Sequence, residues 1–378
     1  MIKKVVLAPD SFKGTMTSLE ICRNLQEVFF ELSPQTEIVK IPVADGGEGT
    51  VDAYLEGIGG TGRTARVTSP MGDAVDAKYG VLHDGTAVLE MAAASGLTLV
   101  RGPLKAMEAT TYGTGQLLLD AVAGGCGRII LGIGGSATSD GGAGALAALG
   151  VRFLDENGRE VPPNAGGLSR ISRIDASGLD ARIKNTEIRI ACDVTNPLAG
   201  KNGAAYVYAP QKGASPAEVE EIDAGLLHYN KILTAYTGVN RKDMPGTGAA
   251  GGLALSLLSF LNARIQSGID LVLDVSEFDV KIKDADFVIT GEGKVDGQSA
   301  QGKVLAGIAK RAAAAGVPVI ALVGDVGPGY RNLYDLGITA IFSTNRAAVP
   351  FEIARQTCRE DLRFLMESLL KFYTAGRR

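Results

Sequence analysis

The sequence predicts an α/β protein in which a Rossmann-like parallel-sheet domain, assembled from discontinuous segments, carries an inserted, β-richer mixed α/β domain. Two observations lead there. Short apolar runs rich in β-branched residues recur between stretches of helical periodicity, as expected of strands buried on both faces. Most of these runs end in glycine-rich turns, as strands of an open parallel sheet do.

Taken in order, Val5-Val6-Leu7 reads as the first strand and leads into a helix over 17–32. Residues 37–41 form the next strand, and Asp45-Gly46-Gly47 turns into another helix. Further strands are expected at 128–133, 287–290, 317–323 and 338–342. Two stretches break the rhythm. Residues 63–91 are hairpin-like, with Asp84-Gly85 a two-residue turn between Gly80-Val81-Leu82 and Ala87-Val88-Leu89. Over 151–208 strands alternate again, with turns at Glu156-Asn157-Gly158 and Asn202-Gly203. The parallel domain is therefore assigned to 1–62, 109–150 and 264–378, and the inserted domain to 63–108 and 151–263. A closing helix over 350–372 reads as structural.

The 378 residues suggest two or three domains at roughly 150 residues each. An apolar share of 46% with 21% charged residues describes a globular chain, not a disordered one. A net charge of -4 supplies no basic footprint, which argues against nucleic acid as a partner. Met1-Ile2-Lys3-Lys4 runs straight into Val5-Val6-Leu7-Ala8, too short an apolar stretch for a cleavable leader. No apolar run approaches the ~20 residues that span a bilayer, so a cytoplasmic protein without a membrane partner is expected. Cys22, Cys126, Cys192 and Cys358 form no CxxC pair, which disfavours a disulfide framework or a zinc site. With only His83 and His228, acid–base chemistry falls to carboxylates or lysines.

Several strand-end strings could carry chemistry. In Pro9-Asp10-Ser11-Phe12-Lys13-Gly14, Lys13 could meet a phosphate or carboxylate while Asp10 and Ser11 hold a hydroxyl, or the string could only organise a turn. In Ala44-Asp45-Gly46-Gly47-Glu48-Gly49-Thr50 the carboxylates could bind hydroxyls or Mg²⁺, or merely offset a helix dipole. Gly132-Ile133-Gly134-Gly135-Ser136-Ala137-Thr138-Ser139-Asp140-Gly141-Gly142 lies between a strand and a helix, where amides and dipole favour anions. It lacks the GxGxxG spacing of dinucleotide sites. Thr290-Gly291-Glu292-Gly293-Lys294-Val295-Asp296 reads as a further glycine turn. The GxxxxGK spelling from Gly297 to Lys303 places Val304 where a P-loop needs Ser or Thr, so a standard P-loop is rejected and Lys303 stands as a separate phosphate candidate. Asp193 and Asn196 follow a strand, where a base or hydroxyl clamp belongs and where turn capping is equally natural. Pro245-Gly246-Thr247-Gly248-Ala249-Ala250-Gly251-Gly252 suggests close backbone packing more than ligand contact.

Together these strings resemble the bacterial glycerate kinase family. PDSFKG, ADGGEGT, EMAAASGL, TTYGTG, GIGGSATSDGGAG, ACDVTNPLAG, PQKGA, PGTGAAGG, TGEGKVDGQSAQGK and VPVIALVGD occur in the family's order from about residue 3 to 345. Ser139 stands where the family typically carries Asn and keeps a polar donor; Gln301 occupies a position where His is frequent. The resemblance implies phosphorylation of D-glycerate by ATP with Mg²⁺, 2-phosphoglycerate as product, and a two-domain enzyme with its active site in the interdomain cleft. A kinase for another small hydroxy acid, or a non-catalytic sugar-acid-binding protein, is the alternative. Phosphoryl transfer demands positioning and charge neutralisation. On that footing Gly134, Gly135, Ser136 and Thr138, with Gly291, Glu292 and Gly293, are expected to cradle ATP phosphates. Lys13 or Lys303 neutralises charge, and Asp193 or Asp45 accepts the hydroxyl proton. Asp10, Ser11, Glu48 and Asn196 are expected to hold substrate, Asp296 the Mg²⁺, and Arg66 or Arg101 the substrate carboxylate. Either a monomer or a homodimer is compatible.

Overall fold

In a computed structural model, which describes residues 2–41, 43, 49–297 and 303–376, the chain is α/β with thirteen strands among the described residues. The first are β1 (Lys4–Leu7), β2 (Glu37–Lys40), β3 (Gly60–Thr68), β4 (Ala74–Leu82), β5 (Thr86–Glu90) and β6 (Arg128–Gly132). There follow β7 (Arg152–Leu154), β8 (Arg173–Asp175), β9 (Glu187–Ala191), β10 (Ala263–Gln266), β11 (Phe287–Val295), β12 (Val319–Val326) and β13 (Ala340–Ser343). They divide between two compact units. One holds the described residues up to 43, residues 52–59 and the described residues from Gly268; the other holds 49–51 and 60–267.

The first unit is a five-stranded, all-parallel sheet in the order β13-β12-β11-β1-β2. Val5, Val6 and Leu7 are completely buried because helices cover both faces of this sheet. On one face the helices Ser18–Leu32 and Phe351–Ala375 pack their Ile21, Leu25, Phe29, Leu362 and Met366 onto Val5, Leu7 and Ile289. Thr17 and Glu20 start the first of these helices with a reciprocal capping box. The helices Gly268–Val275 and Lys303–Ala314 pack against each other, and Arg311 fastens them by donating to the Asp274 carboxylate at 2.6 Å. From β1 the chain steps to β2 on one side, whereas β11, β12 and β13 progress to the other. The boundary between β1 and β11 is thus the point where strand order reverses, and the crevice at the carboxyl ends of these two strands is where such a sheet binds ligands.

The second unit holds a six-stranded sheet ordered β10-β9-β6-β5-β4-β3, parallel from β10 to β5 and antiparallel from β5 to β3. β7 and β8 form a separate antiparallel pair. The expected hairpin between β4 and β5 is present, but its loop has three residues, closed by Gly85 at φ 80° and by the Asp84 carboxylate accepting from the Thr86 amide.

Three expectations are corrected. Residues 109–150 belong to the second unit, because β6 pairs with β5 and β9 and completes their sheet. The stretch past Asn202-Gly203 continues as the helix Ala204–Tyr208, not as a strand. Gly291, Glu292 and Gly293 lie within β11 instead of forming a turn; a Cβ on Gly291 would come within 2.0 Å of the Leu322 carbonyl oxygen, so glycine is what lets β12 lie alongside there.

Leu362, fully buried on the closing helix, tests how far that helix is part of the sheet's core. Leu362→Ala is expected to lower the free energy of unfolding by ~2–5 kcal/mol in urea titrations; a loss below about 1 kcal/mol would show that the helix is dispensable to this core.

Candidate functional site

In the first unit the chain leaving β1 stays attached to β11. The Ala8 and Asp10 amides donate to the Ile289 and Gly291 carbonyls, both at 2.8 Å, and the Thr290 hydroxyl donates to the Ala8 carbonyl at 3.0 Å. The loop then folds back, with the Phe12 amide on the Met16 carbonyl at 2.8 Å and the Asp10 carboxylate accepting from the Ser11 amide at 2.7 Å. Phe12 is buried and anchors this loop, which leaves the next residue, Lys13, exposed and without an ion-pair partner among the described residues. Beside it lies a cavity of about 600 Å³.

Asp10, Ser11, Lys13, Glu292 and Gly293 all line this cavity, so the structure brings two of the predicted strings together. Lys294 and Asp325, 3.9 Å apart, add a pair of opposite charges. Phe351, Ala354 and Arg355 of the closing helix supply another part of the wall, so this helix does more than cover the core. The sequence offered no sign of that role, because nothing in the helix is glycine-rich or follows a strand. Carboxylates, cations and aromatic edges in one crevice suit a polyanionic, hydroxyl-bearing ligand.

The second unit gathers glycine-rich loops at the carboxyl ends of β5, β6 and β9. The loop after β6 is stitched to the loop after β5 by the Leu97 amide on the Gly135 carbonyl (2.9 Å) and the Ala137 amide on the Ser95 carbonyl (3.0 Å). Residues 246–252 close over it: the Gly141 amide donates to the Gly251 carbonyl at 2.9 Å, and a Cβ on Gly251 would lie 2.1 Å from the Thr138 carbonyl oxygen. Close backbone packing is therefore what PGTGAAGG does here. Within the loop, Gly134 and Gly135 are exposed and Ser136 nearly buried.

The source of positive charge at this loop differs from the expectation. The helix that follows, Ala143–Ala148, has six residues and begins well past Ser136, so its dipole does not serve the loop. Instead Lys212, distant in sequence and 2% exposed, donates from Nζ to the Ser136 hydroxyl at 2.8 Å and to the Thr138 carbonyl at 2.5 Å. Burial pulls its pKa down to about 7, and the negative charge of Asp140 opposes that shift. Asp140 is itself fully buried, which pushes its pKa up against the N–H groups that hold its charged form. The Thr111 amide donates to it at 2.7 Å, the Thr111 hydroxyl at 2.8 Å, and the Gly142 and Gly144 amides at 3.0 and 3.2 Å. Lys212 and Asp140 both sit within the resembling strings, yet neither stood out as a site residue, since a lysine in a Pro-Gln-Lys-Gly turn reads as a surface residue.

The remaining predicted residues fall as follows. Asp193 is half-buried, just past β9. Asn196 joins local structure, its Nδ2 donating to the Asn202 carbonyl at 2.8 Å and its Oδ1 accepting from the Tyr208 hydroxyl at 2.7 Å. Thr138 is fully buried and supplies its carbonyl to Lys212. Arg66 pairs with Asp76 at 3.0 Å on the exposed side of edge strand β3, which leaves it occupied, and Arg101 is exposed. Asp296 follows directly after β11. Asp45 and Glu48 lie outside the described residues, as does the Lys303 side chain at the start of its helix. Among the described residues no group of three or more His, Cys, Asp or Glu side chains could hold a metal, and no helix is long and apolar enough to cross a membrane.

The model of the glycerate kinase family matches residues 5–374. A glycerate kinase of Halalkalibacterium halodurans is 48% identical over 344 residues, 90% of each chain. The glycerate 2-kinase of Escherichia coli K12 is 46% identical over 345 residues, again 90% of each. A crystal structure described as a glycerate kinase 2 from Salmonella typhimurium LT2 superimposes with a TM-score of 0.90 at 39% identity, covering both chains completely.

The depressed Lys212 pKa fixes the sign of a pH dependence. Between about 7 and the ordinary 10.5 the unfolded chain binds a proton that the folded chain does not, so Lys212 makes stability rise with pH across that window. Urea midpoints measured from pH 7 to 9.5 are expected to show a rise in the native chain that is missing in Lys212→Met. Parallel profiles for the two would refute this assignment.

Proposed function

The chain belongs to the glycerate kinase family, and from that premise we propose that it transfers the γ-phosphoryl group of ATP to D-glycerate, with Mg²⁺, giving 2-phosphoglycerate. The observation that carries the reading is the 46% identity to a glycerate 2-kinase over 90% of both chains. Two features of the molecule support it. The first unit has a crevice of about 600 Å³ at its switch point, and the second has strand-end loops that expose backbone over a buried ammonium. A two-substrate kinase whose substrates are both anions needs two such surfaces.

The chemistry asks little covalent work of the protein. The glycerate hydroxyl oxygen forms a bond to the γ-phosphorus, the bond from that phosphorus to the β-phosphate bridging oxygen breaks, and the hydroxyl proton passes to a carboxylate, for which Asp193 is our choice. Lys13, exposed at the tip of an anchored loop, neutralises phosphate charge, while Asp10 and Ser11 offer groups for a hydroxyl. Gly134, Gly135 and Ser136 form the second anion-binding surface, with Thr138 buried beneath it. Mg²⁺ prefers hard oxygen ligands and commonly takes one or two carboxylates together with the substrate's phosphates. Asp10, Glu292 or Asp325 in the cavity, or Asp296 after β11, would hold it. When bound, it neutralises developing charge on the phosphates.

An ADP-release assay with ATP, Mg²⁺ and D-glycerate, followed by identification of the product, tests this reading. Turnover that requires both glycerate and Mg²⁺ and yields 2-phosphoglycerate is expected; folded protein that binds ATP but leaves glycerate untouched points to a different hydroxy acid. Asp193→Ala is expected to lower kcat by roughly 10²–10⁴-fold with an unchanged circular dichroism spectrum. Near-native turnover in that variant removes Asp193 from the mechanism.

A further inference from the structure

We propose that Lys212 is a positioning residue that makes Ser136 an outward hydrogen-bond donor to an anionic oxygen of a substrate. This rests on the reading of the loop after β6 as a substrate-binding surface and adds the group that gives it its polarity. Below about pH 7 the Lys212 side chain is an ammonium, which can only donate. When Nζ of Lys212 donates to the Ser136 oxygen at 2.8 Å, the serine's own proton must point elsewhere, and among the described residues it has no acceptor. The adjoining Gly134 and Gly135 are exposed and Ser136 keeps 8% of its surface accessible, which places the serine at the edge of the loop's exposed face.

Neighbouring groups follow the same pattern. The Thr138 and Ser139 hydroxyls are buried and have no hydrogen-bond partner among the described residues, in a protein class where such orphans are rare. Lys212 also holds the Thr138 carbonyl at 2.5 Å, so two of its three N–H groups fix the loop backbone and the serine together. Asp140 accepts from a ring of Thr111, Gly142 and Gly144 donors and forms no contact ion pair with Lys212 among the described residues, which leaves the lysine's hydrogen bonds directed at the loop. The ligand feature recognised is an oxyanion, either a phosphate oxygen or a carboxylate.

The test is a double-mutant cycle read at pH 6, where Lys212 is protonated, by calorimetric titration with inorganic triphosphate and, separately, with D-glycerate, alongside kcat and KM. Lys212→Met and Ser136→Ala are each expected to weaken binding of one of these anions by about tenfold or more, since both remove the same charge-assisted donor. The double variant should bind within about twofold of the weaker single one, because the two act as one unit. Loss confined to triphosphate assigns the phosphate; loss confined to glycerate assigns the carboxylate. Either supports the proposal. It is overturned if Lys212→Met loses only thermal stability while both affinities stay within about twofold, if the losses multiply in the double variant, or if the native chain binds neither anion. Should Lys212→Met not fold, unchanged affinities in Ser136→Ala overturn it equally. Because binding is read without turnover, a native chain that binds triphosphate but does not phosphorylate glycerate sinks the functional reading and leaves this one standing.

Discussion

The strand-end loops of the second unit depend on backbone lying directly against backbone. The Thr138 carbonyl leaves no room for a side chain at Gly251, and the Gly141 amide reaches the Gly251 carbonyl across the same contact. Such closeness has a consequence for polarity. Where chain segments touch without intervening side chains, amides and carbonyls become the lining, and each one removed from water must find a partner. The loop after β6 meets this demand twice over, with Asp140 collecting donors from three residues and Lys212 capping the Thr138 carbonyl.

Burying two opposite charges in this way is costly, and magnitudes indicate why the arrangement holds. A hydrogen bond to a charged group contributes about 1.5–3 kcal/mol, so the four donors that converge on Asp140 can offset much of its desolvation. Among the described residues Lys212 has two hydrogen-bonded acceptors, and burial draws its pKa down towards neutrality. The imbalance leaves an amine under the loop whose protonated form is poorly satisfied by the protein alone. Buried groups tuned in this manner cluster at functional sites more often than in ordinary cores.

Much of this was legible beforehand, and the reasons differ by residue. Val5-Val6-Leu7 and 128–133 announced buried parallel strands because a sheet covered on both faces needs continuous apolar runs. Asp10, Ser11 and Lys13 could be placed at a strand end because strand-end position and residue type are both local properties, and the structure puts them along one cavity with Glu292. The partition of 109–150 was not legible, since strand pairing is a long-range fact and β6 looks the same whichever sheet receives it. Gly291-Glu292-Gly293 passed for a turn because glycine signals both sharp bends and close sheet packing, and only the Leu322 carbonyl decides between them. Lys212 was hidden most thoroughly: its partner Ser136 is 76 residues away, and nothing near it in sequence marks it as buried.

A charge behind a hydroxyl also differs in function from a charge at the surface. An exposed lysine such as Lys13 attracts any anion, is screened by salt, and moves with its ligand. A buried ammonium acting through Ser136, as proposed, could not follow the ligand; it would offer one donor in one direction, fixed by the Thr138 carbonyl on the same nitrogen. In phosphoryl transfer the benefit lies in alignment, because a preorganised donor need not reorient as charge shifts between oxygens. On the proposed reading the two lysines would divide the electrostatic work between capture by a mobile charge and orientation by a fixed one. That division follows from burial alone: the same side chain, placed on a loop tip or beneath a glycine loop, performs different chemistry.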